Sequence, residues 1–367
     1  MRFFLLPLLI FIVVAHQSYG QRDSAWQKAP TLAIEGFVDV FYAYDFNEPS
    51  DNARQSFFFN HNRHHEFNLN LALVKLGLSH QKYRANIALQ VGTYPIDNYA
   101  AEAPLLRFVN EANLGISLNK KNNLWLDAGI FPSHIGFETA LSNLNPTLTR
   151  SLLAENSPYF LTGAKLGYQP TEKWEFTAVI CNGWQRIQRL PGNSLPSFGT
   201  QVNYKPNEVL TLNWSTLLGS EYPDSTRRMR YFNNFYAQFT LFKKLNLTTG
   251  FDIGLQQSSK NSSTYDNWFT PILIAQYVFN KHWQIALRAE YYHDPTRIMI
   301  STNSASAFRS KAFSWNIDYC PRPEISCRLE ARWLNSRDKI FELADNTFSN
   351  NNFFLVASMA LQLRKDW

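Results

Sequence analysis

From Phe353 to Trp367 the chain reads FFLVASMALQLRKDW. Alternate positions Phe353, Leu355, Ala357, Met359, Leu361, Leu363 and Trp367 are apolar or aromatic, while Ser358, Gln362, Arg364 and Asp366 occupy the other set. A period of two belongs to a β-strand with one apolar and one wet face. A tilted strand of about ten residues crosses a bilayer. Such a strand cannot stand alone there, because hydrocarbon offers no partner to an open edge and its neighbours must close into a ring. Lys365 breaks the apolar set close to the chain end, where its stem can snorkel.

The same alternation recurs upstream. Ile34, Val38, Val40, Tyr42 and Tyr44 oppose Glu35, Asp39 and Asp45; Phe67, Leu69, Leu71 and Leu73 alternate with Glu66, Asn68 and Asn70; Tyr83, Ala85, Ile87, Leu89 and Val91 alternate with Lys82, Arg84, Asn86 and Gln90. Lys75 falls on the apolar parity, so either a bulge resets the register there or the side chain snorkels. Short polar turns, such as 119–123, 169–173 and 321–324, alternate with longer loops. Tyr83, Tyr168, Trp174, Tyr204, Trp283, Tyr319 and Trp367 sit beside the short turns or the chain end, on the apolar parity, as an interfacial belt requires. The expected fold is therefore all-β: a transmembrane, antiparallel, up-and-down β-barrel of about 16 strands, with short periplasmic turns and longer extracellular loops.

Composition agrees. Aromatic residues are 15% and charged residues 17% of the chain. That is too polar for helical spans and too aromatic for an ordinary soluble domain. Arg2, an apolar run from Phe3 to Ala15 and small residues at Ser18 and Gly20 have the layout of an export signal. The expected organisation is a signal peptide over 1–20, a short N-terminal segment over 21–33 and one barrel domain over 34–367. A net charge of +6, spread along the chain, gives no nucleic-acid footprint.

Chemistry can reside only on the inward set. Asp39, Arg84, Asp127, Arg288, Glu290, Asp294, Arg328, Glu330 and Arg332 lie opposite apolar positions, and an Arg on the lipid face would cost about 2 to 4 kcal/mol at midplane. They are expected to line the wall of a lumen, pairing across it or selecting among solutes. The longest loop, Pro132 to Pro158, carries Glu138, Asn143, Asn145, Arg150, Ser151 and Glu155, and a loop of that length in a compact barrel usually has a function. His61, His64 and His65 in the first loop could meet a surface metal ion, but an ordinary polar loop accounts for them better. Cys320 and Cys327 fall on opposite faces across their turn, which disfavours a disulfide. No nucleophile, base and orienting carboxylate can be nominated from local motifs, so neither an enzyme nor a cofactor or metal is expected.

Six stretches together carry a resemblance: Asp127-Ala-Gly-Ile-Phe131, Ile135-Gly-Phe-Glu138, Thr149-Arg-Ser151, Pro158 with Gly163 and Tyr168, Asn182-Gly-Trp184, and Arg288-Ala-Glu-Tyr-Tyr-His-Asp294. The chain resembles the OmpL-like β-barrel porins of Gram-negative outer membranes over nearly all of its expected mature length. The resemblance implies an outer-membrane channel for passive diffusion of small hydrophilic solutes, without naming a solute. By analogy with general porins, the loop from Pro132 to Pro158 would fold inward as a constriction carrying Glu138, Asn145 and Arg150. The terminal aromatic Trp367 would be part of the signal read by the barrel-assembly machinery. Outer-membrane lipid is the expected surround, a homo-oligomer is left open, and an adhesin or structural barrel is the alternative function, with a barrel enzyme ranked behind it.

Overall fold

The computed structural model describes residue 26, residues 28–302 and residues 304–367. The export signal expected over residues 1–20 lies outside them, as do residues 21–25 and 27.

One half of the wall is β1 (Thr31–Asp45), β2 (Phe67–Ser79), β3 (Tyr83–Val91), β4 (Val109–Ser117), β5 (Leu124–Pro132), β6 (Phe160–Thr171), β7 (Trp174–Cys181) and β8 (Ser197–Tyr204). The other half is β9 (Leu210–Gly219), β10 (Arg230–Leu241), β11 (Leu245–Gln257), β12 (Tyr265–Val278), β13 (Trp283–Asp294), β14 (Phe308–Arg322), β15 (Ile325–Ser336) and β18 (Asn351–Asp366). A small hairpin of β16 (Phe341–Glu342) and β17 (Phe348–Ser349) lies outside the wall. Wall strands pair antiparallel with their neighbours, and β18 pairs with both β15 and β1, closing a 16-strand up-and-down barrel. At the seam, Trp367 and Leu32 exchange both backbone hydrogen bonds, at 2.8 and 3.1 Å.

The lipid-facing parity is as the alternation requires, with one correction. Asp39 pairs with Leu71 and Val40 with Leu69, so Asn70 is an extra residue on β2. Beyond this bulge the register is reset. Phe67 faces out at 87% exposure, whereas Leu71 and Leu73, expected beside it on the outer face, are turned inward and buried. The bulge, not snorkelling, also accounts for Lys75: its Nζ lies inside, 2.7 Å from Glu111 Oε1.

At the short-turn end the expected aromatic belt forms as cross-strand pairs. Trp174 stacks on Tyr204 with centroids 4.2 Å apart, and Trp283 meets Tyr319 at 4.7 Å. The loop-end belt is one-sided. Tyr231, Tyr265, Tyr291, Phe313, Trp333 and Phe353 face outward along β10 to β18. On β3 and β7 the corresponding positions are Leu89, Val91 and Ile180. The wall is also lower on that side: β3, β4 and β5 have 9 residues and β7 and β8 have 8, against 12 in β10 and 16 in β18.

The interior is layered along the barrel axis. Amides line the short-turn half, a dense network of charges lies at mid-height, and the loop half is packed with apolar side chains. Phe57, Phe58, Trp268, Tyr292, Phe308, Leu334 and Phe354 belong to that last cluster, all buried. Trp268 lies so close to the next strand that a Cβ on Gly254 would fall 2.0 Å from its ring, so this packing needs glycine there.

Candidate functional site

The segment between β5 and β6 crosses the bore. Near its start, His134 Nε2 donates to the Thr216 carbonyl on β9 at 2.9 Å, and the Gly136 N–H donates to Asn234 on β10 at 3.1 Å. It then reaches the opposite wall. The Leu148 N–H donates to Asn316 on β14 at 3.0 Å, and the Thr149 N–H and hydroxyl donate to Glu330 on β15 at 2.6 and 2.8 Å. A short helix, α1 (Leu152–Glu155), follows with Ser151 as its N-cap, its hydroxyl accepting from the Ala154 N–H. Ser and Thr favour such capping over helix interiors. The free N–H of Leu152, at the first turn, donates to Glu290 at 2.6 Å.

Of the wall residues singled out from sequence, five converge on this segment. Arg288 donates to Thr147, to Thr149 and, at 2.9 Å, to Glu330. Arg332 lies 2.5 Å from Glu290 and donates to the Arg150 carbonyl. Arg328 binds Asp318 at 2.7 Å and donates to the carbonyls of Ser142 and Asn145. All these side chains are buried, so their charges meet one another and the loop backbone rather than open water. Buried charges are tolerated when paired and hydrogen-bonded, and loop carbonyls supply part of that bonding here.

The other four stand apart. Arg84 and Asp127 form a bidentate pair at 2.7 and 2.5 Å, with the guanidinium 4.4 Å from the Trp125 ring centre. Asp39 is buried, accepting from His61 at 2.9 Å and from Asn70 at 3.2 Å. Asp294 caps the N–H groups of Ile298, Met299 and Ile300.

Within the loop, Asn145 bonds Thr139 in both directions at 2.8 Å. Glu138 accepts from the Ser151 N–H and hydroxyl, and burial pushes its carboxyl above the usual range. Arg150 is 4% exposed and stacks over Tyr159, 3.3 Å from the ring centre.

Sequence reasoning missed the first loop. Expected as an ordinary polar segment, it turns inward: Asn60 donates to Glu155 at 3.2 Å and to Tyr159 at 2.9 Å, and Phe57 packs on Phe308. The run Phe57-Phe58-Phe59 in a polar stretch was the available signal. Its histidines divide, with His61 and His64 buried against Asp39 and the Asp45 N–H. Among the described residues no group of three His, Cys, Asp or Glu side chains could hold a metal ion. All three cysteines are free.

Two cavities flank the crossing segment and share no lining residue. One of about 440 Å³ opens on the short-turn side, between Lys75, Glu111, Phe137, Tyr159, Tyr236 and Gln238. The other, about 870 Å³, lies under the long loops beside Arg54, Phe57, Arg63, Ser301 and Lys339.

A family profile described as "Putative beta-barrel porin-2, OmpL-like" matches residues 31–363. No curated protein matches the sequence. Among solved structures, the anion-selective porin from Comamonas acidovorans superposes with a TM-score of 0.61 at 8% identity, covering 91% of this chain and 100% of its own. OmpF of Salmonella typhi, in a complex with daunomycin, gives 0.61 at 9%, covering 90% and 97%. The trimer form of OmpT from Vibrio cholerae gives 0.56 at 8%, covering 93% and 100%. At such identities the likeness is one of fold.

Proposed function

The chain belongs to the OmpL-like β-barrel porin family, and from that premise we propose that it is an outer-membrane channel for passive diffusion of small hydrophilic solutes, with the loop from Pro132 to Pro158 as its constriction. The observation that carries this reading is the span of one loop across the bore, from its origin between β5 and β6 to the far wall, where Thr149 bonds Glu330 on β15, with Gly136 held by Asn234 on β10 along the way. Sixteen strands leave an interior too wide for wall side chains alone to fill. The loop supplies the missing matter.

On this reading Arg288, Glu290, Arg328, Glu330 and Arg332 anchor the constriction, and Glu138, Asn145 and Arg150 hold its shape. Solutes meet the wall where it is solvated, beside Arg84 and Asp127. Passage between the two cavities requires the contact of Asn60 with Glu155 and Tyr159 to part, so conductance follows the position of both loops. The short turns face the periplasm and the long loops the outside.

Two further elements of the reading have their own support. On the loop-end side of β3 and β7, Leu89, Val91 and Ile180 stand where β10 to β18 carry aromatics, which favours contact with another copy of the chain there, as OmpT has a trimer form. Trp367, outward at the seam and 56% exposed, is the terminal aromatic that the assembly machinery would read. Removing it should leave export intact and insertion poor, and normal levels of heat-modifiable barrel would refute that role.

The channel itself is tested in planar bilayers. The purified protein should conduct, and excision of residues 139–150 should raise single-channel conductance severalfold. A protein that forms no channel, or an excision without effect, would overturn the proposal.

A further inference from the structure

Resting on the channel reading, we propose that the short-turn half of the lumen is a binding region for neutral, polyhydroxylated solutes of saccharide type, received by Tyr236, Gln238 and the amides around them.

The inner wall of this half is built from carboxamides in cross-strand pairs. Asn86 donates to Asn113 at 3.0 Å, Asn213 to Asn203 at 2.8 Å and Asn246 to Gln276 at 3.1 Å. Each amide carries two donors and an acceptor with two lone pairs, so a pair that shares one bond still presents both kinds of group to the lumen. Hydroxyls, which both donate and accept, are the solute groups that such a wall complements at every orientation.

The charged side chains of the cavity are already hydrogen-bonded, and its lysine is paired. Lys75 lies 2.7 Å from Glu111, Glu35 accepts from the Gln362 amide at 2.6 Å, and Glu138 is bonded to Ser151. Outside it, Arg84 is closed on Asp127. An anion entering the cavity would lose hydration with its lysine, Lys75, already paired to Glu111, and that loss is costly in a confined site.

The groups named here that lack a hydrogen-bond partner are uncharged. Among the described residues neither the Tyr236 hydroxyl nor the Gln238 amide has a hydrogen-bond partner, and both line the cavity. Beside them Phe137 and Tyr236 meet edge to face, centroids 5.5 Å apart, offering apolar surface of the kind that packs on the C–H face of a sugar ring. The volume of about 440 Å³ lies in the range of small-molecule sites. An apolar platform with convergent neutral donors and acceptors is saccharide-binding chemistry.

The test uses the full-length protein in proteoliposomes and radiolabelled glucose, gluconate and glucosamine, which share a size and differ in charge. Glucose should enter faster than either ion. Gln238→Leu should slow glucose on the order of threefold, the effect of one lost neutral hydrogen bond. Heat-modifiability confirms that the variant barrel is folded, and Tyr236→Phe gives a second reading at the same site. Entry of all three at equal rates, or of an ion faster than glucose, overturns the solute class and leaves the channel standing. Normal glucose entry in both variants overturns the site. Failure of all three to enter, with no KCl conductance, overturns the channel reading and this inference with it.

Discussion

The carboxylate of Glu330 receives both donors of Thr149, the backbone N–H at 2.6 Å and the hydroxyl at 2.8 Å. A wall residue thereby fixes one loop residue in position and orientation. The same carboxylate faces Arg288 at 2.9 Å, so the loop bond and the buried ion pair stand or fall together.

Replacing Glu330→Gln keeps the shape and removes the charge. Arg288 would keep only Glu290, which it shares with Arg332, and removing one partner from a buried ion pair costs up to about 3 to 5 kcal/mol. The variant should show a lower thermal transition in detergent and a larger, noisier conductance from a loosened loop. A wild-type transition and wild-type current would refute the anchoring role.

His134 makes the loop acid-sensitive. Burial holds its imidazole down to about 4; the Thr216 carbonyl that accepts from Nε2 opposes this, and nearby Lys165 adds to it. A released loop would titrate at the ordinary value of 6.5. Between that value and about 4 the released loop therefore binds a proton that the docked loop does not, and docking weakens as pH falls through the window. Glu138 works in the other direction, since its raised carboxyl favours docking at low pH and loses that contribution as pH rises through its raised value. Conductance measured from pH 7 down to 4 should rise, and His134→Gln, which retains a donor for Thr216, should flatten the response. An identical acid response in the variant would exclude His134.

The bulge at Asn70 can be deleted. Without the extra residue, either Leu71, Leu73 and Lys75 or Phe67 and Leu69 must change face, because a one-residue slip reverses every side chain. A Lys placed in the lipid costs about 2 to 4 kcal/mol at midplane, and Glu111 would lose its partner. The deletion should yield little heat-modifiable barrel, whereas Asn70→Gly should assemble. Equal yields from the two would show that the bulge is dispensable.

Leu105 tests the proposed contact between copies. It lies on a short 3₁₀ segment, Pro104–Phe108, at the loop end of the low sector and is 82% exposed. Leu105→Asp should convert an unheated oligomer to folded monomers on a native-type gel, because a carboxylate would be buried against the partner. An oligomer of unchanged size and stability would place the interface elsewhere.

The sequence by itself determined the wall. Parity decides whether a strand residue faces lipid or lumen, and hydrocarbon enforces it, so the strand set, the closing seam at Trp367 and the inward direction of Arg288, Glu290, Arg328, Glu330 and Arg332 were legible from local alternation. Even the anomaly at Lys75 was visible, although only pairing with β1 located the bulge at Asn70. Tertiary structure decided what the inward residues meet. Thr149 and Glu330 are 181 residues apart, and Asn60 and Glu155 are 95 apart. No periodicity records such contacts, because a loop has no repeating face and its place depends on which buried donors and acceptors it can satisfy once the barrel has closed. The alternating strands therefore announced a lumen, while its filling by two loops was fixed by polar groups that find partners only across the closed bore.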